Sequence, residues 1–108
     1  VSTHGGRQLD ETLGALDALP QVVAAVPPGT PVLLDSGVRR GTDVVKALAH
    51  GATAVGVGKP LFFSLAVGGE RGVDKLFDIL EEELRVAMAL TGCASLDDIT
   101  ADVVCARP

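Results

Sequence analysis

Three short apolar runs, each stopped by glycine or a polar residue and each leading into helical periodicity, constrain this chain more than any other feature. The first is already finishing at Val1, ahead of Ser2-Thr3-His4-Gly5-Gly6. The second is Val32-Leu33-Leu34, ending at Asp35-Ser36-Gly37, and the third is Ala54-Val55-Gly56-Val57, ending at Gly58-Lys59-Pro60. Runs of this length suit strands covered on both faces, as in parallel sheets. Helical patterns fill the gaps. Leu16, Leu19, Val23 and Val26 recur at helical spacing, with Pro20 tolerable in a first turn, until Pro28-Gly29 stops the pattern. Thr42 is placed to cap a helix over residues 43–50 that Gly51 ends, with Val45, Leu48 and Ala49 turned toward the sheet. A longer helix is expected from about Val73 to Thr91, its stripe made of Val73, Leu76, Phe77, Leu80, Leu84 and Met88, and Gly92 closes it. Ser95-Leu96-Asp97-Asp98 reads as a further helix start.

Strands alternating with helices place the chain in the α/β class with about three parallel βα units. The alternation alone fits an open doubly wound sheet and a (β/α)₈ barrel equally. A whole barrel needs about 250 residues. With 108 residues, this chain would then be the last three-eighths of one, plus a tail. It opens on Val, directly inside a dense motif, so an upstream portion is expected to be missing.

Composition removes several function classes. A net charge of -5 and 3% aromatic residues, with no Trp or Tyr, argue against both an electrostatic footprint for nucleic acid and a base-stacking platform. No apolar run approaches the roughly 18 residues that cross a bilayer, and no basic-then-apolar leader opens the chain. Cys93 and Cys105 lack metal-type spacing and read as reduced thiols of a cytoplasmic protein, with no metal site expected. The final Ala106-Arg107-Pro108 matches no peroxisomal or endoplasmic-reticulum address.

The chemistry concentrates at the three strand ends. In STHGGRQLD, residues 2–10, two glycines separate His4 from Arg7. Glycines let backbone approach a ligand closely. An imidazole such as that of His4 is a side chain suited to general-base work, and the planar fork of Arg7 matches a carboxylate. One side chain could orient an acid substrate while the other removes its proton; a structural His in a turn and a solvated Arg are the plainer alternative. In DSGVRRG, residues 35–41, small residues open N–H groups toward an anion, Arg39 or Arg40 adds charge, and the following helix adds its dipole. Gly58-Lys59-Pro60 repeats the arrangement one βα unit later, as in barrels that build a phosphate site from two consecutive loops.

STHGGRQLD, VLLDSGVRRGTDVVKALAHGA and VGVGKP, followed by MALTGCASLDDI, closely resemble the FMN-dependent 2-hydroxy acid oxidases and dehydrogenases, the family of glycolate-, lactate- and mandelate-oxidising enzymes. The resemblance covers at least residues 1–99. It implies that the chain is the C-terminal portion of a single FMN-binding (β/α)₈ barrel domain, in a homo-oligomeric enzyme that oxidises a small 2-hydroxy acid to the 2-oxo acid. His4 would be the catalytic base and Arg7 the carboxylate clamp. Ser2 would contact the flavin. Asp35, Ser36, Gly37, Val38 and Arg39 would hold the ribityl chain and phosphate, and Gly58 and Lys59 would supply the second phosphate segment. The upstream portion of the same barrel, in the same or a separate chain, would complete the pocket.

Three positions depart from the family pattern. Thr3 stands where Asn is common, Ser36 where Gly is common, and Lys59 where Arg is common, which keeps the charge but loses the fork. Two other readings fit parts of the sequence. An IMP-dehydrogenase-like or flavin-dependent isomerase-like barrel would share residues 35–58 without HGGRQ. A non-catalytic piece would merely complete a partner's fold.

Overall fold

The structure, a computed structural model, describes residues 1–105. The terminal Ala106-Arg107-Pro108, read above as carrying no address, lies outside the described residues. In chain order the elements are α1 (Ala15–Ala25), β1 (Leu33–Leu34), α2 (Gly41–Ala49), β2 (Ala54–Val55) and α3 (Lys59–Thr91), with 3₁₀ turns at His4–Gly6, Leu96–Asp98 and Ala101–Val103.

The strands form where the second and third apolar runs stand, and they pair in parallel with Leu33 opposite Ala54 and Leu34 opposite Val55. The first run leaves its mark as well. The Asp35 N–H donates to the Val1 carbonyl, and the Val1 amino group donates to the Leu33 carbonyl. On its other edge, β1 offers the Val32 and Leu34 carbonyls to Thr53 and Gly56. Val1, β1 and β2 therefore lie side by side in chain order. Helices cover one face of this ribbon. Val32 and Leu34 pack with Ala15 and the fully buried Leu19 of α1 and with Ala47 of α2. The other face is bare, and Leu33, pointing into it, is 58% exposed.

Several local expectations shift. Pro20 falls in the second turn of α1, so the helix forms although Pro20 has no N–H to offer the Leu16 carbonyl. Thr42 is not a cap. Helix α2 begins earlier, and Asp43 closes its start by accepting from the N–H groups of Arg39 and Arg40 at 3.0 and 3.2 Å. The Gly41 N–H donates to Glu83 of α3 at 2.8 Å. Gly51, at φ 95°, ends the helix as expected.

The faces of α2 are also reassigned. Ala47 and Val44 pack toward the sheet, whereas Val45, Leu48 and Ala49 pack with Leu84, Met88, Cys93 and Ile99. The apolar stripe of α3 explains this: it lies over the outer side of α2, which must then be apolar on two sides. The approach is close enough that a Cβ on Gly41 would sit 2.1 Å from the Leu84 nitrogen.

Helix α3 starts fourteen positions before the expected Val73, directly at Lys59. It breaks at Gly69, whose φ of 57° and ψ of -143° belong to backbone that only glycine adopts readily. The stripe expected beyond the break is largely right, with Leu80 buried and Val73, Leu76, Leu84 and Met88 half-buried, but Phe77 is half-exposed. Ser95 does start a helical turn, with Asp98 accepting from its N–H at 2.7 Å, but the turn ends after Asp98. Among the described residues no helix is long and apolar enough to cross a membrane.

Candidate functional site

The chain reverses sharply where the first apolar run ends. His4, Gly5 and Gly6 have φ of 52°, 67° and 76°, three consecutive residues in the left-handed region. Glycine takes this conformation without penalty, so the pair after His4 lets the turn form, while His4 itself is strained. Such strain persists only where surrounding contacts over-determine it.

Those contacts come from Ser2 and from the residues just after β1. The N–H of His4 donates to Ser2 Oγ at 3.1 Å. The N–H groups of Thr3 and Gly5 donate to Ser36 Oγ at 3.1 and 3.2 Å. Both hydroxyls then donate to one oxygen of Asp35, Ser2 at 2.5 Å and Ser36 at 2.9 Å. Hydrogen bonds from Ser2 first and Ser36 second hold the Asp35 carboxyl below its usual value of 3.8, outweighing a small desolvation effect in the other direction. A second tie arrives from the start of α3, where Lys59 Nζ donates to the Gly5 carbonyl at 3.1 Å. The turn carrying His4 is thus fastened to both of the following strand ends. The His4 side chain is left exposed, and Arg7 makes no hydrogen bond or ion pair among the described residues.

Backbone donors face the same space. The N–H groups of Gly37 and Val38 have no partner among the described residues. A Cβ built on Gly37 or Gly58 would meet nothing within 4 Å, so both backbones are open to close approach. The two helix starts differ. That of α2 is already occupied by Asp43 and Glu83, whereas α3 has no side-chain cap and carries Lys59 and Pro60 in its first turn. Among the described residues, the backbone donors left open therefore include the residue 37–38 amides and the start of α3, while at the α2 terminus the Gly41 N–H is taken by Glu83. Arg39 lies beside them with its side chain 77% exposed, its nearest acid Asp43 a loose 3.9 Å away.

One open concavity of about 960 Å³ collects Ser2, His4, Arg7, Asp35 through Arg39, Gly58 and Lys59, leaving out only Arg40 of the charged residues given a chemical role in the sequence motifs. That volume lies in the roughly 300–1,000 Å³ range of small-molecule and cofactor sites. Sequence reasoning missed Phe62 and Phe63, which line the same space from the first two turns of α3. The signal was available: they follow Gly58-Lys59-Pro60 after a single intervening Leu61, in a chain with only three Phe. Among the described residues no cluster of His, Cys, Asp or Glu is arranged to hold a metal.

The model of a family described as FMN-dependent dehydrogenase matches residues 1–106. The chain is 59% identical over 99 residues to an L-lactate oxidase of a Nostoc species, covering 92% of this chain and 27% of that protein. It is 55% identical over 100 residues to a peroxisomal (S)-2-hydroxyacid oxidase of Arabidopsis thaliana, covering 93% and 28%. Its structure superposes on that of a mandelate oxidase variant with a monooxide FMN adduct at a TM-score of 0.86 and 49% identity, covering 92% of this chain and 32% of that one. The chain therefore spans less than a third of the length of the proteins it matches.

Proposed function

The chain belongs to the FMN-dependent dehydrogenase family, and on that premise we propose that it forms the C-terminal portion of a (β/α)₈ barrel that oxidises a small 2-hydroxy acid to the 2-oxo acid with FMN. The observation that carries this reading is the convergence on one concavity of an exposed imidazole, a guanidinium without a partner among the described residues and two sets of open amides with cations beside them. The order Val1, β1, β2 without reversal, with helices on one face only, suits consecutive strands of a barrel. Leu33 on the bare face would then point into the barrel interior, which strands from the upstream portion complete.

The residues present fit the cofactor. A phosphate suits the Gly37 and Val38 amides together with Lys59, Arg39 and the uncapped start of α3. Phe62 and Phe63 add apolar wall to the same space. FMN, when bound, takes up the two electrons that leave the substrate. Arg7 holds the substrate carboxylate by two parallel hydrogen bonds, which fixes the carbon bearing the hydroxyl. His4 accepts a proton from that carbon or its hydroxyl. The other proton would be taken up together with the electron pair by the bound FMN, so the substrate loses two electrons and two protons in all and leaves as the 2-oxo acid.

The test uses the full-length protein. Purified protein is expected to be yellow, to release FMN on denaturation, and to bleach anaerobically when a small 2-hydroxy acid is added. Bound FMN that no 2-hydroxy acid bleaches would overturn the reaction, and a colourless protein that no added FMN reconstitutes would overturn the cofactor.

A further inference from the structure

Ser36 occupies a backbone position that disfavours it. Its φ is 77°, in the left-handed region where glycine is at ease and a residue with a Cβ is strained. The side chain therefore needs a compensating role, and its hydrogen bonds supply one. Ser36 Oγ accepts from the N–H groups of Thr3 and Gly5 and donates to Asp35 Oδ1. A hydroxyl has one hydrogen to give and two lone pairs to fill. All three are used, so the side chain has no capacity left for a flavin or a phosphate. The residues it fastens flank His4 on both sides.

We infer that Ser36 is a positioning residue for His4: its hydroxyl staples the left-handed base-bearing turn to the end of β1 and thereby fixes where the imidazole stands. This rests on the reading of His4 as the base. It assigns Ser36 a role different from the cofactor contact that the resemblance implied. The three amides of Thr3, His4 and Gly5 all end on the two hydroxyls of Ser2 and Ser36, and both hydroxyls end on Asp35. Without the Ser36 hydroxyl, two of those three amides lose their acceptor. The turn would then be held by Ser2 and by the Lys59 contact to the Gly5 carbonyl, neither of which fixes Thr3. A misplacement of about 1 Å in a reacting group costs up to about 10²-fold in rate.

Two substitutions in the full-length flavin-loaded enzyme separate hydroxyl from backbone. Ser36→Ala removes the hydroxyl and keeps the strain, whereas Ser36→Gly removes both. Both are expected to lower kcat about 10-fold, with FMN content and KM for the 2-hydroxy acid unchanged within about twofold, and with Ser36→Gly at least as heat-stable as the parent. Amide exchange at Thr3 and Gly5 is expected to rise about 10-fold in each variant, an effect read without turnover. Several results would overturn the inference: an unchanged kcat in Ser36→Ala, full activity in Ser36→Gly alone, unchanged exchange at Thr3 and Gly5, or flavin loss that tracks the loss of activity. A parent enzyme that turns over no 2-hydroxy acid would instead remove the functional reading beneath it, a failure visible before any variant is made.

Discussion

Asp35→Asn replaces the carboxylate on which the turn carrying His4 is anchored with an amide of the same shape. Asp35 Oδ1 accepts from Ser2 at 2.5 Å and from Ser36 at 2.9 Å. An Asn oxygen still accepts both, so the bonds survive and only their charge assistance goes. A hydrogen bond to a charged group nets about 1.5–3 kcal/mol against about 1 for a neutral pair. The side chain is open to solvent, which puts the loss at the low end, about 0.5 kcal/mol per bond and about 1 kcal/mol for the two. That corresponds to about a fivefold fall in turnover if the turn's order limits the reaction. The pH dependence follows from the direction of the shift. The native carboxyl titrates below 3.8, lowered mainly by Ser2 and then by Ser36. Its contribution is therefore fully present above the unfolded value and lost only as pH falls through the lowered native one. Steady-state turnover of full-length parent and variant from about pH 5 to 8 should accordingly give a constant ratio of about 5. An unchanged rate would refute the anchor, and a ratio that varies across that range would show that a different group is responsible.

Other perturbations give distinct readouts. Arg7→Lys keeps the charge but loses the fork, so apparent substrate affinity and turnover should both fall while flavin content holds; unchanged affinity would assign the carboxylate elsewhere. Arg39→Ala and Lys59→Ala each remove a cation beside the open amides, and each should lower the flavin-to-protein ratio after gel filtration. A full flavin complement in both variants would place the phosphate elsewhere. Gly41→Ala would drive a methyl to 2.1 Å from the Leu84 nitrogen and 2.4 Å from the Glu83 carbonyl carbon. Because both obstacles are backbone, α2 and α3 must separate, which should cost about 1–3 kcal/mol in denaturant unfolding; an unchanged midpoint would contradict that packing.

The strand ends were legible because an apolar run that stops at glycine or a polar residue is a local signal. Leu33-Leu34 and Ala54-Val55 formed inside the expected runs, and Val1 keeps the hydrogen bonds of a strand end. The gathering of His4, Arg7, Asp35–Arg39 and Gly58-Lys59 followed from those ends lying side by side. Less legible were features decided by tertiary contacts. Thr42 has better cap chemistry than Arg40, which holds the N-cap position, but Asp43 reaches back to two amides and Glu83 arrives from α3, so the helix starts before Thr42. The α2 faces were misassigned because Val44 and Val45 are both apolar. Only the position of α3 shows that the helix is covered on two sides. The first leg of α3 was hidden because Gly68 and Gly69 interrupt its pattern, and a break at φ 57° looks in sequence like a loop. The resemblance placed Ser36 within the segment that would hold the cofactor, and its hydroxyl is hydrogen-bonded to the turn that carries His4, a contact no local pattern announces.

His4 is the residue on which the proposed chemistry depends most directly. In the full-length enzyme, His4→Gln keeps a polar side chain and removes the base. Rapid mixing with a 2-hydroxy acid under anaerobic conditions then reads flavin bleaching in a single turnover. The expected result is a normal flavin complement and a bleaching rate lower by about 10²–10⁴-fold. Bleaching at close to the parent rate would contradict the assignment of this turn as the place where the substrate loses its proton.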